Sequence, residues 1–383
     1  SVEVVCVDNP EAGYLGDDPF RITALGPSQK FWSYSKKLEP WLRENLRNFD
    51  VVILHGLWLY PSFALLKALQ KLTRKVGKDS VPRFYLYPHG MLDPWFQKDP
   101  SRRLKAIRNE VYWRLIESKV VNHADGILFT CEEERRLAAL AFPNYRPRGE
   151  YVVGYGIPEP PEEAEAMLSA FRSSVPELPE GRPYLLFLSR IHQKKGVDIL
   201  LRAYARLYAE SGSSMNRRGK FPALVLAGSL EGEFAQEMQS MVQSLFGDQR
   251  GPEKAEVHFS GLLQGDAKWG AFYGCEAFVL PSHQENFGIA VVEALACHKP
   301  VLITNKVNIW QEIEDAKAGF ISNDDEDGVY QALKSFLESN NGLDPNGPRD
   351  CYREHFTVEA ASTRLGDLLK SEVGRASGED SRG

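Results

Sequence analysis

The sequence predicts a parallel α/β protein built as two domains, on three observations. Short β-branched runs alternate with helical patterns along the chain, which is what a parallel sheet with crossover helices requires. At 383 residues the chain exceeds the roughly 250–300 at which a single hydrophobic core stops growing. Near the middle the alternation gives way to a Pro- and Glu-rich stretch, opening with Ile157-Pro158-Glu159-Pro160-Pro161 and ending at Pro183, which reads as a linker. The expected layout is an N-terminal domain over 1–158, a linker over 159–182, a second domain over 183–350, a C-terminal helix over 351–372 and a disordered tail over 373–383.

In the first half, strands are expected at 2–7, 51–54, 84–87, 126–130 and 151–153, where β-branched and aromatic residues cluster between turn formers. In the second half the same signal marks 184–188, 223–227, 257–260, 277–280 and 300–304. A helix is expected across 98–119, where Lys98, Arg102, Arg103, Lys105, Arg108, Arg114 and Lys119 alternate with Leu104, Ile107, Val111, Tyr112 and Leu115. Two readings stand for it: an amphipathic helix with its polar face in solvent, or peripheral contact with an anionic membrane.

Composition narrows the function classes. Forty-six Lys and Arg against 52 Asp and Glu leave a net charge of −6, which argues against nucleic acid as a partner and for small molecules. Five cysteines without CxxC spacing fit neither a disulfide framework nor a zinc cluster, so a reducing, cytoplasmic setting is expected. The longest charge-free apolar stretch, 51–66, is broken by His55, Gly56 and Pro61 and falls short of the ~18 residues a spanning helix needs. No signal peptide is read at the start, where the first strand follows Ser1 directly.

Ligands of open parallel sheets collect at the carboxyl ends of strands. His55-Gly56, Pro88-His89-Gly90, Ser189-Arg190, Gly228-Ser229 and Pro281-Ser282-His283-Gln284-Glu285 all fall at such ends, which predicts two rims facing across a cleft. The segment from Glu285 through Asn286, Phe287, Gly288 and Ile289 to Glu293 combines a loop carboxylate, a glycine at a helix start and a second carboxylate inside the helix. Amides at a helix N-terminus suit phosphate, whereas carboxylates suit sugar hydroxyls. The expected division is therefore Gly288 and Ile289 on a phosphate, Glu293 on two ribose hydroxyls and Glu285 on a transferred sugar. The alternative is a carboxylate serving the helix dipole plus a solvated second one. Arg190 and Lys195 are placed to converge on a diphosphate, the alternative being a basic loop in water. His192 is expected to be exposed and without a partner.

These residues resemble retaining glycosyltransferase family 4. Glu285 and Glu293 match its Glu-x7-Glu pattern, Arg190 and Lys195 its diphosphate pair, and Lys195-Gly196-Val197-Asp198 its helix start. The likeness reaches the first half through Asp50-Val51-Val52-Ile53-Leu54-His55-Gly56 and Ala124-Asp125-Gly126-Ile127-Leu128-Phe129-Thr130. It implies the GT-B fold and a UDP- or GDP-type nucleotide sugar as donor. It also implies a saccharide, lipid-linked or other hydroxyl acceptor, retention of configuration, and no metal or other cofactor. The pathway implied is polysaccharide or glycoconjugate biosynthesis of bacterial type. Gly228, Leu262, Asn286 and Phe287 join the implied donor-binding set. His89 aligns with a first-domain histidine that faces the donor sugar, and His55 falls beside an acceptor cleft. Asp93 and Trp95 bind acceptor or merely cap and pack the next helix.

Departures from the pattern are an N-terminal domain that lacks the usual first strand, loop and helix, Asn305 to Trp310 in place of a Gly-Gly turn, and Gly154-Tyr155-Gly156 in place of Pro-Asn-Gly. Rival readings are a nucleotide-sugar epimerase on the same fold and a non-catalytic sugar-nucleotide-binding protein. A nicotinamide dehydrogenase is disfavoured because no strand is followed by GxGxxG.

Overall fold

The computed structural model describes residues 1–29, 32–99, 102–211, 221–247, 256–338 and 342–378. The chain divides into two compact units, Ser1–Val152 and Val153–Gly383.

In the first unit β1 (Glu3–Cys6) and β2 (Arg21–Ala24) pair in parallel. A separate four-stranded parallel sheet runs in sequence order through β3 (Val51–His55), β4 (Arg83–Tyr87), β5 (Gly126–Phe129) and β6 (Glu150–Val152). The two inner strands are apolar along nearly their whole length and buried, as strands covered on both faces must be. The helix Tyr60–Val76 contributes Ala64, Leu65, Ala68, Leu69 and Leu72 to the core, with Pro61 in its first turn, where a missing N–H costs nothing.

The second unit holds one parallel sheet of six strands: β7 (Tyr184–Leu188), β8 (Ala223–Ala227), β9 (Val257–Gly261), β10 (Ala277–Leu280), β11 (Val301–Thr304) and β12 (Gly319–Ser322). Their order is β12-β11-β10-β7-β8-β9. The chain winds outward from β7 to β9, returns to the other side of β7, and winds outward again to β12. This is the doubly wound Rossmann order, and its switch point lies between β7 and β10.

Four expectations need correction. The segment expected as linker contains the helix Glu165–Ser174, whose buried Met167 and Phe171 dock it on the helix Gly265–Gly274. The approach is so close that a Cβ on Gly270 would lie 2.0 Å from the Met167 carbonyl oxygen. The unit boundary falls at 152/153, ahead of the expected 158/159, because Ile157 donates its N–H to Phe356 and accepts the Tyr352 hydroxyl, tying it to the second unit. The last helix runs from Val358 to Gly378, so the part of the expected tail over 373–378 is helical, while 379–383 lies outside the described residues.

The fourth correction concerns 98–119. The helix Arg103–Tyr112 widens into a π turn, Trp113–Glu117, before continuing as Ser118–His123. Asn109, Trp113 and Glu117 occupy the inner face, and Trp113 anchors it by stacking on Phe142 (4.7 Å between ring centres) and donating to the Pro143 carbonyl (2.7 Å). Leu104, Ile107, Val111 and Leu115 therefore point outward beside the exposed Arg103, Lys105, Arg108, Arg114 and Lys119, so solvent meets an apolar row as well as the charged side chains expected there. Among the described residues no helix is long and apolar enough to cross a membrane.

Candidate active site

Four local contacts build the end of the second sheet at its switch point. Gly196 has φ +65°, and a Cβ there would sit 2.1 Å from the Pro281 carbonyl oxygen, so only glycine lets the turn after β7 lie against the loop after β10. His283 N–H donates to the Lys194 carbonyl (2.8 Å), and Lys194 Nζ donates to Gln284 Oε1 (2.6 Å). Lys195 Nζ is ion-paired with Glu285 Oε2. One strand over, a Cβ on Gly228 would meet the Ser189 carbonyl oxygen at 2.2 Å, which presses the exits of β7 and β8 together. His192, expected to have no partner, caps this turn: its Nδ1 accepts the Lys194 N–H at 3.1 Å.

Glu285 is held through its backbone as well. Its N–H donates to the Lys306 carbonyl (2.9 Å) and its carbonyl accepts the Asn308 N–H (3.0 Å). The turn that departs from the family pattern thus serves as the brace of the loop. Gly288, at φ +80°, caps the helix Ile289–Ala296, and its close neighbours include the Glu285 and Val307 side chains. Glu293, inside that helix, accepts Lys268 Nζ at 2.8 Å, and the same ammonium lies 4.0 Å from the Trp269 ring centre. Arg190 is exposed and has no hydrogen-bond or ion-pair partner among the described residues.

The structure thus brings Lys195, Glu285, Asn286 and Gly288 together at the switch point, with Glu293 in the adjoining helix. Leu262 is exposed, just past the end of β9. Phe287 is buried between Tyr155 and Phe356, with ring centres at 5.4 and 5.6 Å, and its ring packs the helix start against the last segment of the chain. Lys268 and Asn308 escaped the sequence reading. Lys268 is a single cation in a helix of mostly small and aromatic residues, with no spacing signal, and Asn308 matters only once the 305–310 turn folds onto Glu285.

In the first unit His55 and His89 end β3 and its neighbouring loop. Their rings stack with Tyr87, and His55 Nδ1 lies 2.9 Å from His89 Nε2. Although His55 as a residue is exposed, its ring sits in this stack, and desolvation lowers its pKa. Burial, helped by the charge of His55, lowers the His89 pKa to about 4, so His89 is neutral at pH 7 and able to donate or accept a hydrogen bond to a sugar hydroxyl. His89 itself has φ +50°, and Gly90 N–H donates to the buried Glu134 carboxylate, which also accepts Thr130 N–H (2.8 Å). Asp93 is buried, and its Oδ1 accepts the Trp95 N–H (2.8 Å). Among the described residues no three His, Cys, Asp or Glu side chains gather as a metal ligand set.

A doubly wound unit with cations and carboxylates at its switch point, preceded by a second parallel α/β unit, has the GT-B fold. Solved structures agree: a glycosyltransferase of Rickettsia africae aligns at 14% identity over 96% of this chain and 89% of its own, with a TM-score of 0.68. HepE of Anabaena, solved in complex with UDP, aligns at 16% identity over 92% of this chain and 86% of its own, with a TM-score of 0.64. The model for glycosyl transferases group 1 matches residues 171–349, and that for the glycosyl transferase 4-like domain matches residues 1–156; the chain belongs to this glycosyltransferase family.

Among curated relatives, a D-inositol 3-phosphate glycosyltransferase of Arthrobacter is 29% identical over 38% of this chain and 31% of its own length. The human alpha-1,3/1,6-mannosyltransferase ALG2 is 25% identical over 52% of this chain and 49% of its own. The chain therefore spans half or less of the curated relatives it matches.

Proposed function

We propose that this protein transfers a sugar from a UDP- or GDP-type nucleotide sugar to a hydroxyl group of a saccharide or lipid-linked acceptor, with retention and without a metal. The observation that carries the reading is the convergence of Lys195 and Glu285 at the switch point between β7 and β10, beside the start of the helix Ile289–Ala296 and within the loop that also presents Arg190.

Lys195 is ion-paired with Glu285. The two side chains are largely buried, so the pair gives way only to a ligand that replaces it with charge-assisted contacts of its own, as a diphosphate does. Lys195 and Arg190 then meet the leaving phosphates, and Glu285 is released to the hydroxyls of the transferred sugar. Glu293 keeps acceptor capacity for two ribose hydroxyls, since a carboxylate has about four lone-pair sites and Lys268 takes one. As the glycosidic bond breaks, charge grows on the diphosphate, and the two cations and the helix amides stabilise it. The departing phosphate takes the acceptor proton, so no protein base is assigned; neutral His89 hydrogen-bonds the donor sugar. Free cysteines, four of them buried, support a reducing, cytoplasmic setting.

The test is incubation of the full chain with a panel of nucleotide sugars and simple saccharide acceptors, following both products by mass spectrometry. Nucleoside diphosphate released in step with glycosylated acceptor supports the proposal. Conversion of the donor to its epimer without acceptor, or turnover of no donor, contradicts it.

A further inference from the structure

The outward face of the helix Arg103–Tyr112 and the π turn Trp113–Glu117 is the most exposed apolar surface of the first unit. Leu104 is 84% exposed, Ile107 63%, Val111 51% and Leu115 62%. Their spacing of three, four and four residues puts them in one row along a helix. Scattered exposed aliphatics are ordinary, but a contiguous row is not. The inner face is meanwhile filled by Asn109, Trp113, Ile116 and Glu117, so the outward aliphatic row is not the side by which this segment packs on its core.

Charge flanks the row on both sides. Arg103, Lys105, Arg108, Arg114 and Lys119 are exposed, and the acid nearest them, Glu110, is bonded by Arg114 Nε at 2.8 Å. Long basic side chains beside aliphatic ones let the stems lie in an apolar medium while the charged heads reach its polar boundary. A row about 17 Å long and ~10 Å wide is also far smaller than the ~800 Å² per partner that a stable dimer buries.

We propose that this face rests on an anionic membrane surface, with the helix parallel to the bilayer, Leu104, Ile107, Val111 and Leu115 entering the acyl boundary and the five cations meeting lipid phosphates. Attachment is peripheral and reversible. The proposal does not depend on the glycosyl-transfer reading.

The experiment is flotation of the full chain with vesicles of phosphatidylcholine alone and with about a third of the lipid replaced by phosphatidylglycerol, near 0.1 M salt and again near 0.5 M, where screening is stronger. Binding is expected only to the anionic vesicles and is expected to fall severalfold at the higher salt. The double variant Leu104→Ser/Ile107→Ser and the triple variant Arg103→Ser/Lys105→Ser/Arg108→Ser should each reduce binding at least tenfold. All five positions are exposed, and melting temperatures within about a degree of wild type show that the fold is intact. Equal binding to both vesicle types, no binding, or unchanged binding by the variants would overturn the proposal. So would concentration-dependent dimerisation that the Leu104→Ser/Ile107→Ser variant abolishes, which would make the row a contact between copies.

Discussion

Arg190 and Lys195 differ in what holds them, and that difference shapes their behaviour. Lys195 is paired with Glu285, whereas Arg190 is exposed and has no ion-pair or hydrogen-bond partner among the described residues. Both are expected to act most strongly on the departing diphosphate, so Arg190→Ala and Lys195→Ala should lower kcat by ~100- to 1000-fold with a smaller change in donor KM. Steady-state kinetics with saturating acceptor check this; wild-type kcat in either variant contradicts the assignment. The two glutamates should part company in the same assay. Glu293, on the ribose in ground and transition states alike, predicts a Glu293→Gln variant with raised KM and nearly unchanged kcat. Glu285, nearer the reacting sugar, predicts a Glu285→Gln variant whose main loss is in kcat. The residue types and spacing of this set were legible in the sequence because phosphate and hydroxyl recognition demand particular chemistry. The packing of the Phe287 ring against distant Tyr155 and Phe356 was not legible, because spacing does not reveal a side chain's direction.

Two elements carry strain or burial that can be measured. The turn at Gly196 is fixed by a positive φ and by the 2.1 Å approach to Pro281, so Gly196→Ala incurs both a left-handed backbone cost of ~1–2 kcal/mol and a displaced carbonyl. Gly181 has φ +69° with nothing within 4 Å of its would-be Cβ, so Gly181→Ala incurs the first cost alone. Urea unfolding should show the Gly196 variant clearly less stable than the Gly181 variant, with donor affinity lost only in the former. Equal stabilities and affinities would remove Gly196 from the site's scaffold.

The π turn holds Glu117, fully buried, accepting Trp58 N–H (2.9 Å) and Ser62 Oγ (2.7 Å) on one oxygen while the other has no partner among the described residues. Burial raises its pKa from 4.5 to about 7. The folded state then keeps a proton that the unfolded chain releases near 4.5, so this group's contribution to stability falls as pH rises from 4.5 to about 7 and levels off above. Glu117→Gln cannot ionise and lacks that decline. Its stability relative to wild type should rise by on the order of 3 kcal/mol between pH 5 and pH 8 in urea titrations; parallel curves would show that Glu117 does not titrate in this range. At this scale the sequence located ten strands, but missed β2 and β12, each four residues long and set among polar turns. It also read the helix Glu165–Ser174 as linker, since flanking prolines and glutamates masked the Met167 and Phe171 pair.

For the molecule as a whole, the alternation of strands and helices announced parallel α/β units, but the order of strands within a sheet did not follow from it. Strand order depends on pairings between distant segments, and the switch point between β7 and β10 exists only once that order is set. The place of the candidate site was nevertheless suggested by the sequence, because strand-end loops are where such sheets leave polar groups unfilled. The metal-free reading rests on Arg190, Lys195 and the helix amides supplying the positive charge a leaving diphosphate needs. The most direct test is calorimetric titration of UDP and of GDP, in buffer containing EDTA, into the wild-type chain and into Lys195→Ala. The account predicts that at least one of the two binds the wild type with EDTA present and that the Lys195 variant binds it at least tenfold more weakly. Binding of neither nucleotide, binding that requires an added divalent cation, or equal affinity in the variant would contradict it.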